Sequence, residues 1–105
     1  MRRVIWKYRL SNGERLSVPV GATVRHLGWQ EGAPTLWLEC DEGSERVEWT
    51  IQVIGTGQPF DYRTNAEFLG TLIEGVGMFV WHFFAIRGDK WSAEQQSRYE
   101  SGGIP

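Results

Sequence analysis

The chain has 105 residues, of which 41% are hydrophobic and 23% charged. This is ordinary usage for one folded domain and excludes a chain disordered over most of its length. Eleven Lys and Arg against thirteen Asp and Glu leave a formal net charge of −2. That balance argues against generic duplex DNA binding, which needs a basic excess to neutralise phosphates. The apolar stretch Met78–Ile86 is interrupted by His82 and falls well short of the ~20 residues of a membrane helix, so no membrane partner is expected.

Taken in order, the chain shows alternation with period two, the signature of half-buried strands. Val4, Trp6, Tyr8 and Leu10 share one face, with Ile5, Lys7 and Arg9 on the other. Asn12-Gly13 is a tight-turn dipeptide, and Leu16–Val20 reads as the return strand of a hairpin. Pro19 lacks an N–H, which places that strand on a sheet edge or ends it there. Thr23–Gln30 is the third strand, with Leu27 and Trp29 inward, Arg25 at the sheet rim and His26 solvated. After a turn at 31–34 comes Thr35–Cys40, with Leu36, Leu38 and Cys40 on one face and Trp37 and Glu39 on the other. A polar loop at 41–45 leads to Arg46–Ile54, where Val47, Trp49, Ile51 and Val53 alternate with Glu48, Thr50 and Gln52.

Gly55–Pro59 ends that strand, 60–66 reads as a loop, and Phe68–Ile73 is a short strand followed by a turn at 74–77. Met78–Ile86 is apolar on both faces. Such a strand is central in a covered sheet or displays one face to a partner. Ser92 and Gln95 have the spacing of a capping box, which predicts a short helix over 93–99 before a frayed end. The expected fold is all-β: a small antiparallel sandwich or partly open barrel of six to seven strands. The expected organisation is one β domain over 1–88 and a helix with a frayed tail over 89–105.

No combination of residue types has the spacing of a catalytic or metal site, so neither enzyme activity nor a cofactor is expected. Cys40 is the single cysteine, which precludes an intrachain disulfide, and a lone thiol on an apolar strand usually packs as a small hydrophobe. His82, in its apolar strand, reads as a hydrogen-bonded core residue. Glu39, Asp41, Glu42, Glu45 and Glu48 form the densest charge feature, expected on the tip and one face of a single hairpin with Trp37 nearby. Such a patch can hold a basic partner, although most acidic hairpin ends are simply solvated. The loop Gly55, Thr56, Gly57 and Gln58 could approach a small ligand, with Arg25 and Trp6 as an arginine and an aromatic wall. A plain turn or bulge accounts for the same glycines.

The series Ile5-Trp6-Lys7-Tyr8, Val18-Pro19-Val20-Gly21-Ala22, Pro34-Thr35-Leu36-Trp37, Gly55-Thr56-Gly57-Gln58-Pro59, Leu69-Gly70-Thr71 and Val80-Trp81-His82-Phe83-Phe84 resembles a family of short bacteriophage and prophage proteins. The resemblance covers residues 4–86. Members tend to carry His where this chain has Gln58, and the family brings no assigned activity. It implies a small phage accessory protein in the cytoplasm of the host cell. The leading expectation is a protein that binds and inhibits a host defence component, of anti-CRISPR or other anti-defence type. One alternative is a sponge for a small nucleotide immune signal; another is a minor virion or assembly component. The two-sided apolar strand leans the expectation towards a homodimer.

Overall fold

The computed structural model describes residues 2–90, so the expected helix over 93–99, its Trp91 anchor and the frayed end lie outside the described residues. Seven strands are present: β1 (Val4–Arg9), β2 (Arg15–Pro19), β3 (Thr23–Gln30), β4 (Ala33–Cys40), β5 (Arg46–Gly55), β6 (Ala66–Glu74) and β7 (Phe79–Lys90). They form two antiparallel sheets in the orders β1-β4-β3 and β2-β5-β7-β6, an open sandwich and not a closed barrel. The all-β expectation and its strand count hold. β7 continues past the expected end at Ile86.

The alternation sorts inside from outside as the period requires. Tyr8, Leu36 and Leu38 from one sheet meet Leu16, Val18, Trp49, Ile51, Phe83 and Ala85 from the other in a continuous buried core. Trp6, Val24, Leu27, Val53 and Trp81 pack around its margin. Burying a large aliphatic or aromatic side chain of this kind contributes about 1.5–3 kcal/mol. Glu31 and Gly32 have φ of 51° and 74°. This is the two-residue turn geometry that matches strand twist, so β4 begins at Ala33, two residues before the expected start.

The expected β1–β2 hairpin does not form. β1 pairs with β4 in one sheet and β2 with β5 in the other, so the Asn12-Gly13 turn carries the chain between layers. Its polar groups bond to β5: Gly13 N–H donates to Ile51 O at 2.7 Å, Ile51 N–H to Glu14 O at 2.8 Å and Val53 N–H to Asn12 Oδ1 at 2.9 Å. The physical reason is burial. Trp6 and Tyr8 can meet Leu16 and Val18 face to face only if the two strands belong to opposed layers. β2 is an edge strand ending at Pro19, as the missing N–H demands. Its Ser17 carbonyl accepts from the Tyr8 hydroxyl at 3.0 Å and from Arg46 Nη1 at 3.2 Å, which occupies an acceptor on the edge.

Candidate binding surface

β7 lies between β5 and β6, and its two apolar faces have different fates. Phe83 and Ala85 are buried in the core. Val80, His82, Phe84 and Ile86 point the other way, onto the outer face of the four-stranded sheet. There Phe84 is flanked by Phe68 at 5.3 Å and by Phe60, from the loop after β5, at 5.5 Å between ring centroids. Ile54 on β5 is buried beneath this cluster, whereas Phe60, Phe68 and Ile73 remain 52%, 56% and 57% exposed. Among the described residues no helix and no third sheet covers this face. The β6–β7 turn extends the apolar surface with Val76 and Met78, both highly exposed.

A bulge explains why Phe68 escapes a simple reading of the sequence. Regular alternation would put Phe68 on the same face as Gly70 and Leu72. The register shifts between Phe68 and Gly70, so Leu69 turns inward and is buried while Phe68 turns out beside Phe84. Phe60 sits in a stretch with no period at all. The signal that pointed here was the two-sided apolar character of β7.

The Gly55–Gln58 loop borders the same face. Gln58 Oε1 accepts from Gly55 N–H at 3.0 Å, and Gln58 N–H donates to Gly55 O at 3.0 Å, which closes the turn. Thr56 Oγ1 is 2.7 Å from His82 Nε2, and Thr71 Oγ1 is 2.9 Å from His82 Nδ1. His82 is hydrogen-bonded as expected, but it is half-buried on the outer face and not in the core. The loop, the histidine and the phenylalanines line a shallow cleft of about 240 Å³. Neither Arg25 nor Trp6 lines it. Arg25 Nη2 lies 2.8 Å from Glu39 Oε1 on the outer face of the other sheet, where a bulge between Val24 and His26 places it. Trp6 faces the core margin with Arg46 stacked over it at 4.9 Å. The aromatic and arginine pocket is therefore not assembled.

The acidic residues do not share one hairpin, because β4 and β5 belong to different sheets. Glu39 and Glu48 consequently stand on opposite outer faces of the sandwich. Glu39 is held by Arg3 at 2.7 Å and by Arg25. Hydrogen bonding from Arg25, and next from Arg3, keeps its carboxyl below the usual glutamate range. Glu48 lies 3.7 Å from Arg15. Asp41 Oδ1 accepts from Gly43 N–H at 3.0 Å and shapes the turn, while Glu42 and Glu45 are exposed. Trp37 is half-buried on the outer face of β4, with His26 beside it at 5.5 Å. Cys40 is fully buried, and burial pushes its thiol pKa up, away from a reactive thiolate.

A separate cleft of about 460 Å³ opens where the two sheets part. Trp29, Trp81, Phe83 and Pro34 line it together with Glu74, Asn12 and Gln58. Trp29, expected inward, is 39% exposed at this mouth.

A family model described as "Domain of unknown function (DUF7352)" matches residues 1–94, and the chain belongs to that family. Neither the curated proteins nor the solved structures gave a match.

Proposed function

We propose that this member of a family without an assigned activity is a non-catalytic binding protein that docks a partner protein on the outer face of β5, β7 and β6. One observation carries the reading: Phe60, Phe68 and Ile73 stand exposed around a central strand whose outward side chains, His82 apart, are apolar. Contiguous exposed apolar surface on a small domain marks an interaction site, and aromatic side chains supply much of the binding energy at such sites. The resemblance to small phage and prophage proteins supports a host defence component as the partner, blocked sterically in the cytoplasm of the host. The acidic mode is the weaker alternative, since Glu39 and Glu48 are already matched by arginines on opposite faces. The nucleotide sponge has less support still, because Arg25 and Trp6 lie away from the Gly55 loop.

The test is to express the chain in hosts carrying single defence systems and measure phage plating. The wild-type chain should restore plating against its target system. Phe68→Asp combined with Ile73→Asp should abolish the effect with little change in melting temperature, since both side chains are more than half exposed. A loss of one or two interface hot spots corresponds to roughly a 30-fold or greater loss of affinity. The triple variant Glu42→Gln, Glu45→Gln, Glu48→Gln should keep its effect; loss there and retention in the Asp pair would transfer the site to the acidic residues. Light scattering completes the set. A particle of twice the chain mass that the Asp pair dissociates would identify the partner on this face as a second copy.

A further inference from the structure

The cleft at the parting of the sheets differs in chemistry from the phenylalanine face. Its walls join aromatic and apolar residues to the neutral polar Ser11, Asn12 and Gln58, and both of its indole N–H groups are committed to the framework. Trp29 Nε1 donates to the Ile73 carbonyl at 3.1 Å, and Trp81 Nε1 donates to Glu74 Oε1 at 3.3 Å. Phe79 stacks on Trp81 at 6.0 Å with an interplanar angle of 14°. The rings are thus positioned in advance, and what they retain for a ligand is their π systems. Glu74 is the single charged side chain among the lining residues. Among the described residues no arginine, lysine or histidine pairs with it.

We infer that this cleft binds a small organic cation whose charge sits on a flat or methylated apolar group. The quadrupoles of two indoles attract a cation, and most strongly where water is partly excluded. The Glu74 carboxylate adds the complementary charge at the site. An anion such as a phosphate ester would meet that carboxylate with no cationic side chain among the described lining residues to offset it. A neutral apolar ligand would draw nothing from the carboxylate, which is exposed. The volume of about 460 Å³ is in the range of small-molecule sites.

The experiment titrates benzyltrimethylammonium into the full chain and follows the indole N–H signals by NMR. Trp29→Phe and Trp81→Phe assign the two resonances. Benzyl alcohol serves as the neutral aromatic control and benzenesulfonate as the anionic one. The cation should shift both indole signals saturably, bind more tightly than either control, and weaken as salt rises. Glu74→Gln keeps an acceptor for the Trp81 N–H and should weaken the cation by roughly two- to fivefold, the scale of an exposed charge pair. Equal affinity for all three probes, or an unchanged cation affinity in Glu74→Gln, would overturn the inference, as would the absence of a saturable shift. Should Glu74→Gln melt below the wild type, the salt dependence of the wild-type chain decides. A cation affinity as insensitive to salt as that of benzyl alcohol overturns the proposal.

Discussion

At Gly70 a side chain would press on Leu27 and strain the backbone. Its φ is +150°, and a Cβ there would stand 2.9 Å from Leu27 Cδ2 on the facing strand β3. The contact and the backbone angle are separable costs. Leu27 is a flexible side chain that can retreat, whereas the φ strain of about 1–3 kcal/mol stays with the residue. Gly70→Ala should therefore lower stability by about that amount in urea denaturation. Combining it with Leu27→Ala should leave the double variant less stable than Leu27→Ala alone. A double variant as stable as Leu27→Ala would show that the clash was the whole effect.

Glu39 links stability to pH. Its folded pKa is depressed by Arg25 and Arg3. The stability it contributes is then present above the ordinary glutamate range and is lost as pH falls through the lower folded value. Glu39→Gln should flatten that part of the acid limb of the stability profile while shifting the neutral melting temperature little, because the ion pairs lie at the protein surface. An acid limb identical to the wild type would show that the two arginines do not hold this carboxylate in solution.

Among elements, the passage from β1 to β2 is the informative one. Asn12 and Gly13 read locally as a hairpin turn, and the turn exists, but it joins layers and fastens to β5. The Asn12 side chain takes the place of a strand neighbour by accepting from Val53 N–H. Asn12→Ala should cost about 1 kcal/mol, the net worth of one hydrogen bond, with a larger cost where the amide is left unsatisfied. Hydrogen exchange at Val53 should accelerate ahead of the rest of β5. Unchanged protection there would mean that the Asn12 contact does not hold the crossing. The bulges in β3 and β6 teach the same lesson. Each inserts one residue, so Arg25 swings out to Glu39 and Phe68 swings out to Phe84.

At the scale of the molecule, the sandwich closes its core with two layers and leaves the outer side of β7 apolar. Among the described residues, aromatic side chains serve both the core and the surface. Tyr8, Trp49 and Phe83 fill the interior. Phe60, Phe68 and Phe84 form a surface, and Trp29 and Trp81 frame a cleft. A composition rich in aromatics is compatible with every one of these uses, so the candidate surface was visible only as a strand with too many apolar residues.

Strand existence, the inward face of β1, β4 and β5, the edge position forced by Pro19 and the all-β class were legible from the chain alone. Each depends on period-two patterning or on one residue's missing donor, and such local properties do not change with context. Which strands pair, which carboxylates share a face and which aromatics stay exposed were decided by the tertiary structure. Pairing depends on burial between residues far apart in the chain, and a single bulge inverts the parity of every position beyond it.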